Sequence, residues 1–238
     1  MMKPAACDLG STGENINLNS AVNMKNILLL GDSIRQGYES FARDKLQGRA
    51  NVFFPMENGR FAQYTLRALS EWKESLTLPK IDIVHWNNGL WDTVHLNDRP
   101  AGCDGGAEGA AVCPVSVPPE AESDASPLTP PEIYRYYIGR VLTRIRQLFP
   151  EADVVFATTT PVIEEQAPGV WHSNREIEKY NRIARETLVP RGVRINELGE
   201  FAAKNCQALH RDRIHYNDEG SAILADEIIR YLETEGLL

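Results

Sequence analysis

Short, largely apolar runs alternate along this chain with longer segments in which apolar residues recur every three or four positions. A run of this kind, bounded by turn residues, is typical of a strand buried on both faces of a parallel sheet. Periodicity alone does not separate such a strand from a segment of buried helix. We predict five strands: residues 26–30, 51–55, 81–86, 152–158 and 193–196.

The segments between these runs predict amphipathic helices. Their apolar residues fall on one face at helical spacing, and several begin with a hydroxyl, a proline or an acid that suits a first turn. The predicted helices span residues 34–46, 61–75, 129–149, 173–188 and 218–232, with a partly helical connection over 197–208. Strands that alternate with helices indicate an α/β protein built on a parallel sheet.

The 238 residues are predicted to form one domain over residues 24–238, because no linker separates two independently patterned halves. Residues 1–23 are polar, and we expect a poorly ordered N-terminal extension there. Residues 98–130 are rich in Gly, Ala, Pro and Ser, which predicts an inserted loop after the third strand. This loop either covers the site or extends into solvent, and its composition favours the second.

The charge balance argues against one class of partner. Lys and Arg number 25 against 33 Asp and Glu, a formal net charge of −8, whereas nucleic-acid-binding proteins normally present a basic face. No apolar run reaches the roughly 20 residues that cross a bilayer, and the first residues lack the basic start and apolar core of a secretory signal. We therefore expect no nucleic-acid or membrane partner and a cytoplasmic location. The oligomeric state stays open.

Two stretches far apart in the chain carry candidate catalytic groups. Gly31-Asp32-Ser33 follows the first predicted strand, and open α/β sheets bind ligands beyond the carboxyl ends of their strands. Taken alone, this stretch favours a simple helix cap by Asp32 or Ser33. Near the other end, Asp212 precedes His215 by three residues, which gives an imidazole an orienting carboxylate from its own loop, as a Ser-His-Asp system requires.

Together the two stretches resemble the SGNH, or GDSL-type, hydrolase family. GDSI at Gly31–Ile34 matches its nucleophile block and Asp212-x-x-His215 its acid–histidine block, and the resemblance covers residue 24 to the C-terminus. It implies a three-layer flavodoxin-like sandwich, with a central parallel sheet of about five strands. It also implies that Ser33 is the nucleophile, His215 the base and Asp212 the orienting acid. The flanking residues lack the Gly-x-Ser-x-Gly of the α/β-hydrolases.

The resemblance also implies an oxyanion hole. Backbone N–H groups of Ser33 and Gly59 are its expected donors, and a glycine suits a position where the backbone approaches the reacting carbonyl. The family's Gly-x-Asn-Asp block departs here, because aligning its glycine and acid puts Trp91 in place of the asparagine. We predict that Asn88, or Asn87 beside it, supplies the amide, unless the two backbone donors suffice; strand geometry does not settle which asparagine.

Four further residues are candidates for substrate binding: Arg35, Asn58, Trp91 and Trp171. Arg35 is either a solvated cation or a contact for a polar substrate group, and the first is favoured. The tryptophans fit a small acyl group or a sugar face if they line the site, but serve equally well as core residues. His172 is expected at the surface.

A metal site is the competing interpretation of the second stretch, with Asp212, His215 and His210 as ligands. Such a site needs three or four nearby ligands, and the other histidines show no His-x-x-x-His pattern. The four cysteines lack paired spacing, and in a reducing cytosol Cys103 and Cys113 are expected to be free thiols. We therefore expect no metal and no other cofactor.

The predicted function is that of a serine esterase which cleaves small acyl esters through an acyl-enzyme, with acetyl groups on a carbohydrate as the favoured substrate. Its expected partner is thus a small-molecule or carbohydrate ester. One alternative is a lysophospholipase or thioesterase, which needs a long apolar acyl channel. The other is a catalytically weak carbohydrate-binding or scaffold protein that retains the fold without a complete oxyanion hole.

Overall fold

A parallel sheet lies at the centre of the protein. The structure is a computed structural model that describes residues 24–96, 127–164 and 170–238. The predicted N-terminal extension and residues 98–126 of the predicted inserted loop lie outside the described residues, so both stay predictions. In chain order the described strands are β1 (Lys25–Leu30), β2 (Ala50–Phe53), β3 (Ile83–Trp86), β4 (His95–Leu96), β5 (Asp153–Ala157), β6 (Val170–Trp171) and β7 (Arg194–Asn196).

Five of these strands form the main sheet in the order β2-β1-β3-β5-β7, and every neighbouring pair is parallel. The strand order reverses between β1 and β3. In open α/β sheets, the crevice beyond the carboxyl ends of the strands at such a reversal is where ligands bind. The carboxyl end of β1 leads directly into Ser33, so the topology brings the predicted nucleophile to this crevice.

Helices cover both faces of the sheet. They are α1 (Ser33–Lys45), α2 (Ala62–Ser75), α3 (Pro131–Leu148), α4 (Asn174–Leu188), α5 (Leu198–Asn205) and α6 (Asp218–Thr234). Ile27 and Leu29 of β1 pack in one hydrophobic cluster with α1, α5 and α6. Leu28 and Leu30 pack in a second cluster with α2, α3 and α4. Both faces of β1 are therefore buried, which explains its uninterrupted apolar sequence and confirms the predicted three-layer architecture.

Some element boundaries differ from the sequence-based predictions. β3 begins at Ile83 rather than at position 81, and the carboxylate of Asp82 instead accepts the backbone N–H of Asn26 at 2.9 Å. α3 begins at Pro131 rather than at the predicted position 129, and it has no side-chain cap, so the hydroxyl at the predicted start, Thr129, does not cap it. The side chain of Thr129 contacts Asp92 instead.

A second, two-stranded antiparallel sheet pairs β4 with β6. It was not predicted, because two-residue strands show no periodicity. Just after the undescribed residues 97–126, the N–H of Leu128 donates to Val94 O at 2.6 Å and that of Thr129 to Asp92 O at 3.1 Å. The described residues on either side of this stretch are therefore neighbours. None of the described helices is long and apolar enough to cross a membrane.

A buried histidine in β3 predicts acid sensitivity. His85 has no exposed surface, and burial lowers its pKa to about 4, whereas an unfolded histidine titrates near 6.5. Between these values the unfolded chain binds the extra proton, so His85 makes the free energy of unfolding fall as the pH drops, by up to about 3 kcal/mol.

We expect His85→Leu to remove this contribution, since leucine cannot titrate. Urea unfolding of both proteins at about pH 7 and about pH 4.5 measures it, because groups common to both cancel in the difference. The wild type should lose about 2–3 kcal/mol more than the variant on acidification. Equal losses in the two proteins would contradict the assignment.

Candidate active site

The predicted nucleophile, base and acid meet at the carboxyl edge of the sheet. Ser33 is the first residue of α1, while Asp212 and His215 lie in the loop before α6. Ser33 Oγ lies 2.8 Å from His215 Nε2. On the other side of the ring, His215 Nδ1 lies 2.9 Å from Asp212 Oδ2 and 3.1 Å from Oδ1. The three side chains therefore form one continuous chain of hydrogen bonds.

The nucleophile turn separates helix capping from chemistry. Asp32 is the N-cap of α1, and its Oδ1 accepts the N–H of Ile34 at 2.9 Å. The capping role that the sequence left open between Asp32 and Ser33 therefore belongs to Asp32, and the Ser33 hydroxyl faces the histidine. Burial also raises the pKa of Asp32. As a first-turn residue, Ser33 has a backbone N–H without an intrahelical acceptor.

The acid–histidine loop is held by its own backbone. Asp212 Oδ1 accepts the N–H groups of Ile214 at 2.8 Å and His215 at 2.7 Å. Partial burial raises the pKa of Asp212, but these bonds and the His215 ring outweigh it and lower the pKa to about 2. His210 is tilted against the Tyr216 ring, and its Nδ1 lies 3.0 Å from Gln207 O. His210 thus braces the loop from its far side.

Gly59, in the loop between β2 and α2, touches the nucleophile turn. Its N–H donates to Gly31 O at 2.8 Å. A Cβ at position 59 would lie 2.6 Å from the same oxygen, so only glycine fits there. The Gly59 amide therefore lies against Gly31, two residues before Ser33, and it already has an acceptor there; its role as an oxyanion donor stays a prediction.

Comparison with known proteins identifies the fold. No family model and no curated protein matches the sequence. Among solved structures, an acetyl xylan esterase, AlAXEase, is 17% identical with a TM-score of 0.60, and the alignment covers 87% of this chain and 99% of that one. A GDSL-like lipase from Bacteroides thetaiotaomicron is 13% identical with a TM-score of 0.59, covering 89% of each chain. This chain has the SGNH, or GDSL-type, hydrolase fold.

A third structure with this fold is the Clostridium thermocellum family 3 carbohydrate esterase. It is 13% identical with a TM-score of 0.56, and the alignment covers 89% of this chain and 96% of that one. At these identities the likeness concerns the fold, and the side chains of this chain have to be assessed one by one.

Asn88 has a different task from the predicted one. Its side chain is fully buried, and its Nδ2 donates to Arg60 O at 3.0 Å and to Thr65 Oγ1 at 2.9 Å. Its Oδ1 accepts the indole N–H of Trp86 at 2.7 Å. Both amide hydrogens are used, so Asn88 has none left for an oxyanion. It instead anchors the chain just after Gly59.

Asn87 retains more freedom. Its Nδ2 donates to Ala157 O at 2.8 Å and makes a longer contact of 3.3 Å with Thr159 Oγ1. The side chain is half-buried at the carboxyl end of β3. Of the two asparagines, Asn87 is the one with an amide hydrogen that is only weakly engaged.

The structure gives different environments to Trp91, Asn58 and Trp171, three of the predicted substrate contacts. Trp91 is half-buried, with its ring edge-on to Phe61 at 6.5 Å between centroids. Asn58 holds its own turn, because its Oδ1 accepts the N–H of Arg60 at 2.8 Å. Trp171 has its backbone in β6, and its side chain lies outside the described residues. The structure thus leaves Trp91 as a half-exposed aromatic surface.

Arg35 is not the solvated cation that the sequence favoured. Its side chain is fully buried, and its guanidinium bonds to backbone carbonyls of the loop between β2 and α2. His172, which was expected at the surface, is half-buried, and burial, His95 and Arg213 lower its pKa to about 4.

Asp92 is a structural residue whose task the sequence did not reveal. Both of its carboxylate oxygens accept the N–H of Ala62, at 3.2 and 3.1 Å, so it caps α2 from another segment. Burial raises the pKa of Asp92 to about 7 against this bond and one from the Thr129 side chain. Within the described ranges, no group of three or more His, Cys, Asp or Glu side chains is arranged to hold a metal.

The buried amide of Asn88 predicts a stability effect. Asn88→Ala removes three hydrogen bonds and leaves the Trp86 indole N–H without its acceptor, so the free energy of unfolding should fall by about 2–4 kcal/mol. Urea denaturation measures the loss. Asn205→Ala is the control, because Asn205 is exposed and makes one bond to a carbonyl of its own helix. A loss no larger than that of the control would contradict this role.

Proposed function

We propose that the protein is a serine hydrolase of carboxylic esters, with Ser33 as nucleophile, His215 as general base and Asp212 as the group that orients the imidazole. The observation that carries the proposal is the unbroken hydrogen-bond chain from Ser33 Oγ through both nitrogens of His215 to Asp212. A serine hydroxyl is a weak nucleophile until such a base accepts its proton. The esterases and lipases that share this fold support the same chemistry.

Ser33, His215 and Asp212 have different tasks in the proposed reaction. As Ser33 Oγ bonds to the acyl carbon, its proton passes to His215 Nε2 and negative charge develops on the carbonyl oxygen. The ring then gives that proton to the leaving alkoxide as the ester bond breaks, which leaves the acyl group on Ser33. Water, deprotonated by the same nitrogen, attacks the acyl group; the bond from the acyl carbon to Ser33 Oγ breaks, the ring returns the proton to Oγ, and the acid is released. Asp212, whose pKa is about 2, stays ionised and stabilises the charged ring.

The oxyanion is proposed to accept hydrogen bonds from the backbone N–H groups of Ser33 and Gly59. An N–H group can share its hydrogen between two acceptors, so Gly59 can serve the oxyanion while it still contacts Gly31 O. Asn87 is the candidate third donor, because its amide is less engaged than that of Asn88. A hole that lacks one donor loses about 10²–10³ in turnover.

The proposed substrates are small acyl esters, with acetyl groups on a carbohydrate as the favoured case. An acetyl xylan esterase and a carbohydrate esterase are among the proteins with this fold. Trp91 and Phe61 supply half-exposed aromatic surface, of the kind that packs against a sugar ring or a short acyl group. A catalytically weak carbohydrate-binding protein is the second candidate, favoured by the prior engagement of the Gly59 and Asn88 amides.

Substitution of the nucleophile tests the activity directly. We expect Ser33→Ala to lower kcat for p-nitrophenyl acetate by at least about 10³-fold, since no other group takes over the attack. Ser40→Ala, a serine of the same helix, is the matched control and should stay within about twofold. A fluorophosphonate should add one covalent group to the wild type at Ser33, detected by mass spectrometry, and none to the variant.

Equal hydrolysis by wild type and Ser33→Ala would reject the esterase proposal. Binding of an acetylated xylo-oligosaccharide without Ser33-dependent release of acetate would support the second candidate.

Acyl length is tested with p-nitrophenyl acetate, butyrate and octanoate. We expect kcat/KM to fall by about tenfold or more from acetate to octanoate, because a site built for a short acyl group rejects added methylenes. The rate of Ser33→Ala on each ester is the background, which is subtracted from the wild-type rate. A preference for octanoate would instead favour the lysophospholipase or thioesterase alternative.

A further inference from the structure

Arg35 is a buried cation next to the nucleophile. It lies two residues after Ser33 in α1, and its side chain has no exposed surface. One guanidinium nitrogen donates to Pro55 O at 2.7 Å and the other to Glu57 O at 2.5 Å, while Glu39 provides an ion pair. The second nitrogen also lies 3.5 Å from Gly31 O. The guanidinium thus connects the nucleophile turn to the loop that carries Gly59.

An arginine in this position has a large desolvation cost, which only well-placed partners offset. Its planar fork suits the task, because two nitrogens at a fixed angle can hold two carbonyl oxygens at once. A lysine offers one compact charge and cannot reproduce that geometry. The partners of Arg35 therefore indicate a function in fixing the loop rather than in balancing surface charge.

The loop over residues 54–61, the oxyanion loop, depends on α1 for its position. Arg35 holds two of its carbonyls, and Gln36 Nε2 donates to a third, Met56 O, at 2.9 Å. Met56 itself is 82% exposed, so its side chain anchors little. On the far side, Asn88 holds Arg60 O. Gly59 lies between the carbonyls held by α1 and the one held by Asn88. Of the two α1 residues that hold the loop, Arg35 is the charged one.

We propose that Arg35 is a positioning residue for the reaction, which fixes the oxyanion loop so that the Gly59 N–H stays aligned with Ser33. It rests on the proposed function, because the aligned amide matters only if an oxyanion forms. Arg35 has a second role at Gly31 O. Because the guanidinium lies near this carbonyl oxygen, the oxygen keeps a hydrogen-bond donor when the Gly59 N–H turns partly toward the substrate.

The kinetic test uses Arg35→Ala and Arg35→Lys with p-nitrophenyl acetate. We expect Arg35→Ala to lower kcat by about 10²-fold with KM within about twofold, because the transition state loses an aligned donor that the bound ester uses little. Guanidinium chloride added to Arg35→Ala, well below denaturing concentrations, should raise its kcat by about tenfold. The Arg35→Lys substitution should recover less of the wild-type kcat than this rescue does. Arg185→Ala is the control: it removes a partly buried arginine that pairs with Glu178 and Glu197 and has no bond to the oxyanion loop, so kcat should stay within about twofold.

A second measurement separates this inference from the activity. Hydrogen–deuterium exchange of peptides covering residues 54–61 should rise in Arg35→Ala and stay at the wild-type level in Arg185→Ala. If the wild-type activity does not depend on Ser33, the proposed function is rejected. The hydrogen-exchange result then still tests whether Arg35 fixes the oxyanion loop. Ser33-dependent activity with unchanged kcat in Arg35→Ala, or a lowered kcat without faster exchange and without rescue, overturns the positioning role alone.

Discussion

The hydrogen bond between Ser33 Oγ and His215 Nε2 joins two segments 182 residues apart, and it exists because every strand of the main sheet runs the same way. Parallel strands place all their carboxyl ends at one edge. β1 delivers Ser33 there, and the loop before α6 returns to the same edge. The order of the strands then sets which loops become neighbours, so the site is a product of topology before it is a product of any side chain.

The oxyanion loop shows how a backbone donor is held without regular structure of its own. α1 holds it through Arg35 and Gln36, the segment just after β3 holds it through Asn88, and the nucleophile turn accepts the Gly59 N–H. These attachments come from residues that follow β1 and β3, the two strands at the reversal of strand order. Precision in a catalytic group usually requires support by surrounding contacts of this kind. The residues that support the loop therefore outnumber those that are proposed to react.

The layers could be predicted because their signals are local, and the three residues proposed as the triad came from the resemblance of two short blocks, whose side chains the structure brings together. The apolar run of β1 reports burial on both faces, and the Asp212–His215 spacing reports a loop that folds on itself. Arg35 and Asn88 carried no such signal. A charge beside an exposed loop looks solvated until carbonyls 20 and 22 residues away prove to face it. Which of two adjacent asparagines is buried depends on Trp86 and Thr65, partners that strand periodicity does not reveal.

The bonds that Val94 and Asp92 accept from Leu128 and Thr129 bring together the two ends of the segment that connects β4 to α3. The N–H of Leu128 lies 2.6 Å from Val94 O and that of Thr129 3.1 Å from Asp92 O, so these two bonds join the residues before and after positions 97–126. Lengthening a segment whose ends are already joined adds little closure entropy, about 0.6 kcal/mol per doubling. A shorter or longer stretch between these two bonds is therefore expected to change the free energy of closing that segment only slightly, since both bonds lie outside it.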